Sequence, residues 1–280
     1  MKIQFCSFEM RMKNLAILMM ALVGTGCVAE AADEGDGAME HNPGEESVAE
    51  AQQALYLYDY SASNTNNAAN EANVKKKTVN IGAGETVMIG TTVLPGTVFH
   101  GDTYLRLYNF LDKPVASNDD AVCNLNSGSL ISYTSPYGST ESFVLWGGCN
   151  ANGACGTNTV QIARRDPVVF SYNGQNTNQA TVNTTNRTYS LKANQIVRVS
   201  TCSYAAYGAK ATGDTVLRLY RDIGGVWEYV AGNDDTSACQ GQCDLASLIQ
   251  YTVPASGNYQ VRAGCVADDA CSGTVVLYRQ

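Results

Sequence analysis

Between residues 213 and 220 the chain reads GDTVLRLY, and its side chains alternate: Leu217 and Leu219 fall on one face, Val216, Arg218 and Tyr220 on the other. A two-residue period is what a half-buried β-strand requires. GDTYLRLY at 101–108 repeats the pattern, with Leu105 and Leu107 opposite Tyr104, Arg106 and Tyr108. Tyr259, Val261 and Ala263 share a face, and Phe143, Leu145 and Gly147 keep the same alternation. Such segments recur roughly every ten residues between Gly, Asn and Pro, with no long stretch of 3.6-residue periodicity, which predicts an all-β chain of sandwich type.

The likeness between the two GDT segments belongs to a longer duplication. N-T-N stands at 64–66 and 176–178, TVNIGAGETVMIG at 78–90 matches TYSLKANQIVRVS at 188–200, N-D-D stands at 118–120 and 233–235, and SLISY at 129–133 matches SLIQY at 247–251. A Cys-x5-Cys closes both copies, at Cys149/Cys155 and Cys265/Cys271. The offset between copies drifts by a few residues, as loop insertions in a diverged tandem pair would make it. The expected organisation is a first unit over 55–165 and a second over 166–280.

The N-terminal residues carry export signals rather than fold. Lys13 precedes an apolar run at 15–23, far short of the roughly 20 residues that span a bilayer. Residues 1–26 therefore read as a signal peptide, for which Met12 is the more natural start. Gly24-Thr25-Gly26-Cys27 resembles the lipobox of bacterial lipoproteins, which implies lipidation at Cys27; cleavage after Ala29-Glu30-Ala31 is the competing reading. Between Cys27 and Glu50 the chain has eight carboxylates and no Lys or Arg, a self-repelling tether expected over 27–54. The tether also carries most of the net charge of −8, since residues 51–280 hold 15 Lys+Arg against 17 Asp+Glu. A nearly neutral folded part gives nucleic-acid binding no electrostatic support, and Lys75-Lys76-Lys77 reads as a solvated loop between strands.

Eight of the ten cysteines lie in the two units, and an exported chain meets an oxidising compartment where cysteines pair. The recurring spacing pairs Cys149 with Cys155 and Cys265 with Cys271. Cys123, Cys202, Cys239 and Cys243 leave three connectivities open. Zinc at Cys239-x3-Cys243 is the rival, but no His lies near and structural zinc takes four close ligands.

D-T-x-L-R-L-Y, N-D-D, S-L-I-x-Y-T and, in the second copy, PASGNY at 254–259 resemble the bacterial pre-peptidase C-terminal domain family and the related collagen-binding domains of clostridial collagenases. The resemblance covers most of 56–280. It implies two jelly-roll β-sandwiches, a non-catalytic role beside secreted hydrolases or in surface proteins, and calcium bound in loops. The first copy departs from the family at YGSTE, 137–141, and the Cys-x5-Cys departs in both.

Candidate chemistry lies first with the aspartates. Partners in a hairpin have residue numbers of constant sum; if Asp214 faces Asp235 the turn falls at Gly224-Gly225, where glycines suit it. The same construction brings Asp102 toward Asp119 and Asp120, and Asp214 toward Asp234 and Asp235. Clustered carboxylates repel unless a cation or donors compensate, and Ca²⁺ takes six to eight oxygens, so Ca²⁺ is the cofactor such clusters would take. The other reading has Asn233-Asp234-Asp235 satisfying a tight turn through its own backbone. Tyr104, Arg106 and Tyr108 form a strip able to stack on sugar rings or an extended peptide, unless it serves cross-strand pairing within the sheet. Trp146 and Trp227, at non-equivalent positions, read as core.

Catalysis has little support. The two histidines are His41, in the tether, and His100, whose counterpart is Thr212, so a Ser/His/Asp or Cys/His site is not indicated. Paired carboxylates could serve a glycosidase, but duplicated clusters at sandwich edges read as metal or turn positions. Three classes stand: an exported or cell-surface binding protein whose ligand is an extracellular glycan or protein, a structural matrix component, or an enzyme or enzyme inhibitor. A membrane enters only through the lipid anchor.

Overall fold

The computed structural model describes residues 56–121, 127–204, 207–236, 243 and 245–280. The expected signal peptide, Cys27, the acidic tether, Cys123 and Cys239 lie outside the described residues.

The first copy consists of β1 (Tyr56–Ser63), β2 (Lys75–Ile81), β3 (Thr86–Gly90), β4 (Thr103–Tyr108), β5 (Pro114–Asn118), β6 (Leu130–Thr134), β7 (Glu141–Cys149) and β8 (Ala154–Arg165). The second consists of β9 (Phe170–Gln175), β10 (Thr185–Leu191), β11 (Ile196–Ser200), a short β12 (Lys210–Thr212), β13 (Thr215–Ile223), β14 (Val226–Asn233), β15 (Leu248–Thr252), β16 (Gly257–Cys265) and β17 (Ala270–Arg279). In the first copy a front sheet β2-β7-β4-β5 faces a back sheet β1-β8-β3-β6; in the second, β10-β16-β13-β14 faces β9-β17-β11-β15, with β12 added on β17. All pairings are antiparallel. An eight-strand chain in the orders 1-8-3-6 and 2-7-4-5 is a jelly roll, two interleaved Greek keys.

The alternation read from the sequence places the cores. Leu105, Leu107, Phe143 and Leu145 are fully buried between the first two sheets, and Leu217, Leu219, Tyr259 and Val261 between the second two. Each such side chain stabilises by about 1.5–3 kcal/mol when withdrawn from water.

A third apolar cluster joins the copies. Strand β3 is buried on both faces, and Met88, which points away from its own core, packs with Leu94, Leu130, Ala163, Tyr207, Ala209, Val276 and Tyr278. The two back sheets also meet directly, Tyr278 pairing with Arg165 and Arg279 with Arg164 at the ends of β17 and β8. Arg164 and Arg279 are equivalents: each ladders with a matching valine, Val87 or Val197, and each donates to a matching carbonyl, Asn80 O or Ser190 O. The junction therefore relates the copies by a local twofold. The back faces are spent on this junction, which leaves the front faces outward.

Two sequence expectations are corrected here. Lys75-Lys76-Lys77 is the start of strand β2, not a loop; its polar run masked an edge strand, whose ladder with β7 is made by backbone whatever the side chains. Trp146 and Trp227 are not core: both are half-buried, and Trp146 lies opposite Phe143 and Leu145 in the alternation of β7.

Candidate functional site

Backbone geometry explains why the repeated motifs are what they are. Gly101 and Gly213 have φ of 78° and 77°, and a Cβ on either would come within 3.0 Å and 2.6 Å of Ala154 O and Ala270 O in the Cys-x5-Cys hairpin. The Thr of G-D-T enters a sealed hydroxyl network: Thr91 and Thr103 hydroxyls are 2.9 Å apart, Thr103 and Ser129 3.0 Å, and Ser129 donates to Asp119 O. Thr201, Thr215, Ser247 and Asp234 O repeat it at 2.8, 3.1 and 3.1 Å. Asn118 accepts from Leu130 N–H and donates to Asp120 O, as Asn233 does with Leu248 and Asp235. N-T-N has its own task. Thr65 donates to Cys149 O and accepts from Cys149 N–H, and Thr177 does the same at Cys265.

The cysteines these threonines clamp are bonded, Cys149 to Cys155 and Cys265 to Cys271. Cys202 is bonded to Cys243.

The hairpin arithmetic holds near the turn and fails beyond it. Gly224 and Gly225 take φ of 64° and 89°, and Ile223 pairs with Val226 through to Tyr220 with Tyr229. A bulge then shifts the ladder by one, so that Leu219 faces Ala231 and Leu217 faces Asn233; β4 and β5 carry the same bulge between Leu107 and Tyr108. A bulge inserts one residue and cannot be read from a constant sum.

Even so, ligand atoms of Asp102, Asp119 and Asp120 lie within 4.8 Å of one another, and among the described residues they form the only acidic group so close. Asn150 Nδ2 donates to Asp102 Oδ2, and Ser127 N–H to Asp120 Oδ1, while Asp102 Oδ1 and Asp119 Oδ1 are buried with no partner. Burial, then the charges of Asp102 and Asp120, push the Asp119 carboxyl above its ordinary range. In the second copy burial, then Asp235, Asp234 and Asp269, push Asp214 up, and Asp214 Oδ1 is likewise orphaned. The expectation of two matching clusters is corrected to one tight and one looser group.

The outer face of the first front sheet carries the aromatic strip. Tyr108 lies against Trp146 with ring centroids 4.3 Å apart. Lys76, ion-paired with Glu71, sits 4.4 Å over the Trp146 ring. Arg106 lies 5.0 Å from the Tyr104 ring and donates from Nε to Asn67 O at 2.6 Å. Tyr104, Arg106 and Tyr108 are all half-buried on the face opposite Leu105 and Leu107. Sequence reasoning assigned Trp146 elsewhere, although the parity of Phe143 and Leu145 already puts it beside Tyr108.

The second front face is built of different chemistry. Arg262, at the position of Trp146, lies 3.8 Å over the Tyr220 ring, and Arg218 lies 5.2 Å from the ring of Tyr229. Tyr220 and Tyr229 meet edge to face at 5.7 Å. A shallow cleft of about 190 Å³ beside them is lined by Gln179, Arg218, Tyr229, Gly232 and Asp234, among others.

No protein-family model and no curated protein matches the chain. Among solved structures it is similar to the CBM22-1–CBM22-2 tandem from Paenibacillus barcinonensis Xyn10C, at 11% identity over 80% of this chain and 92% of that one, TM-score 0.27. It is similar also to the PBCV-1 virus capsid, at 6% identity over 80% and 93%, TM-score 0.20. A third is the infectious bursal disease virus VP2 subviral particle, at 10% identity over 81% and 58%, TM-score 0.20. Scores this low bear on no function; the jelly-roll assignment rests on strand order.

Proposed function

We propose that this protein is a non-catalytic, exported binding protein that holds an extracellular polymer, a glycan before a protein, on the outward front faces of its two jelly rolls. The observation that carries the reading is the close pair of Trp146 and Tyr108, left half-exposed beside Tyr104 and Arg106 on the outer face of the front sheet. Aromatic rings on a flat face offer C–H and stacking contacts to pyranose rings with little conformational entropy to lose. The back faces, by contrast, are consumed in joining the copies.

Disulfides in both copies and one at the seam suit an oxidising compartment, in keeping with export and with lipidation at Cys27 or release after Ala31. Calcium belongs to the same proposal: the orphaned oxygens of Asp102 and Asp119 beside Asp120, and the group Asp214, Asp234 and Asp235, supply hard oxygen donors of the kind Ca²⁺ takes.

The test is binding of the full chain to immobilised neutral and acidic polysaccharides, with Trp146→Ala and Tyr108→Ala as variants. Loss of at least one polysaccharide in the variants, at an unchanged melting temperature, supports the reading. Binding equal to wild type in both variants, or turnover of any polysaccharide, overturns it.

A further inference from the structure

We infer that the second jelly roll binds an anionic sugar unit, a carboxylate- or sulfate-bearing residue of a polysaccharide, at Arg262, Arg218, Tyr220 and Tyr229; this rests on the glycan reading above. The residues share one outward face. Leu217, Leu219, Val261 and Ala263 point into the core, so Arg218, Tyr220 and Arg262 point out, and Tyr229 joins them as the cross-strand partner of Tyr220. Tyr229 is 51% exposed.

The guanidinium groups are placed but not spent. Arg262 is held over the Tyr220 ring, and among the described residues its side chain makes one hydrogen bond, from Nε to Gln260 Oε1 at 2.8 Å. Arg218 donates from Nε to Gln179 O, which fixes the side chain along the rim of the cleft. Among the described residues neither has a carboxylate within ion-pair distance, whereas Lys76, Arg164 and Arg279 each have one. A guanidinium held over a ring by its Nε, with its terminal N–H groups unpartnered among the described residues, presents a planar fork that matches a carboxylate or sulfate.

Among the described residues the acids nearby are not ion-paired with them. Asp222 accepts the turn N–H of Gly225, and Asp234 lines the cleft but accepts Asp235 N–H. The cleft is sized for one ring rather than an oligomer, so the polymer would run across the face and seat one charged unit there. The first copy lacks half of the device: Arg106 matches Arg218, but Trp146 stands in place of Arg262, Val216 is matched by Tyr104, and Lys76, over the Trp146 ring, is neutralised by Glu71. The two faces therefore differ in the charge of the unit they take.

The experiment measures binding of the full chain to polygalacturonate, to heparin, to neutral xylan and to poly-glutamate, for wild type, Arg262→Gln, Arg262→Lys and Arg262→Trp. Loss of one charge-assisted fork should weaken polygalacturonate or heparin about tenfold in Arg262→Gln. It should also shallow the salt dependence, leave xylan unchanged, and be only partly rescued by Lys. Heparin carries carboxylate as well as sulfate, so a response to heparin alone assigns sulfate and a response to polygalacturonate assigns carboxylate. Since the Arg262 side chain is held by Gln260 and Tyr220 on the outward face of the sheet, the fold should tolerate its replacement, which matched melting curves verify. Unchanged affinity for both acidic polysaccharides in Arg262→Gln and Arg262→Trp overturns the inference, as does poly-glutamate binding as tight as the polysaccharides. Wild type that binds xylan through Trp146 but neither acidic polymer overturns this inference and leaves the wider reading standing.

Discussion

The two jelly rolls share a framework and differ where they face outward. Inside, the copies are nearly interchangeable: the Thr-Thr-Ser networks, the Asn brackets around N-D-D and the Thr clamps on the cysteine hairpins recur with hydrogen bonds within a few tenths of an ångström. Outside, Trp146 gives way to Arg262, and at the seam Met88 gives way to Arg198 and Thr92 to Cys202. Buried hydroxyls and amides tolerate no partial substitution, because a partner left unpaired costs about 1–3 kcal/mol. Solvent-facing positions carry no such penalty, and there the copies have diverged. The contrast separates residues kept by folding from residues free to serve binding.

The seam is the exception, buried yet diverged, because each copy there meets a different neighbour. Met88 is fully buried, and its counterpart Arg198 is 5% exposed. Arg198 donates to Val93 O in the first copy, to Gln250 and, from Nη2, to Tyr207 Oη at 2.7 Å. Tyr278, from the last strand, donates to Tyr207 O at 3.0 Å. One side of the junction is apolar and the other is polar stitching across it.

The largest expected effect breaks the asymmetry at the seam. Cys202–Cys243 closes a separation of 41 residues, and opening such a loop costs about 4 kcal/mol in the chain-entropy model. The pair Cys202→Thr with Cys243→Ser, which copies Thr92 of the first unit, should lower stability in urea by about that amount. A loss no greater than that of the short bridges would show that the bond contributes nothing beyond local closure.

Calcium comes next. Binding to the folded state alone adds about 2.7 kcal/mol at a hundredfold excess over Kd. Millimolar Ca²⁺ should raise the melting temperature and EDTA should reverse the rise. Asp119→Asn with Asp120→Asn should remove more of the response than Asp214→Asn with Asp235→Asn, because the first group is tighter. Equal melting curves with and without Ca²⁺ would leave both groups as turn residues.

The short bridges follow at about 2–3 kcal/mol each. Cys149→Ala with Cys155→Ala, and Cys265→Ala with Cys271→Ala, should destabilise by similar amounts, since each hairpin keeps its threonine clamp.

The smallest effect is electrostatic. The folded protein raises the Asp119 and Asp214 carboxyls above their ordinary values, through burial first and neighbouring carboxylates second. Raised folded values mean that folding binds protons. The stabilisation they give is full below the unfolded value, near pH 4, and is lost as pH rises through the folded values. Metal-free protein should therefore be slightly relieved at these two sites by acidification toward about pH 4, and Asp119→Asn should remove the first copy's share of that slope. With Ca²⁺ bound the charged forms are favoured and the slope should reverse.

Much of the fold was legible in the chain. Alternation at 103–108 and 215–220 identifies both central strands and their core residues, and the glycines at 224–225 mark their turn. The bulges that displace the hairpin register leave no composition signal, and the three lysines at 75–77 conceal a strand because an edge strand is held by backbone. Burial of β3 and β11 on both faces follows from contact between the copies, which alternation within one copy cannot express. For the candidate site, the strip at Tyr104, Arg106 and Tyr108 could be read, and Trp146 was recoverable from parity. Arg262 and Tyr229 were not, because stacking them on Tyr220 needs the register of β13 against both β14 and β16.

The most direct test of the account is hydrogen exchange of the full chain with and without a saturating polysaccharide that it binds. The account predicts added protection in the front strands, β4 and β7 for a neutral polymer and β13, β14 and β16 for an acidic one, with the back strands β3, β8, β11 and β17 unchanged. Protection confined to the back sheets or to the seam would contradict it.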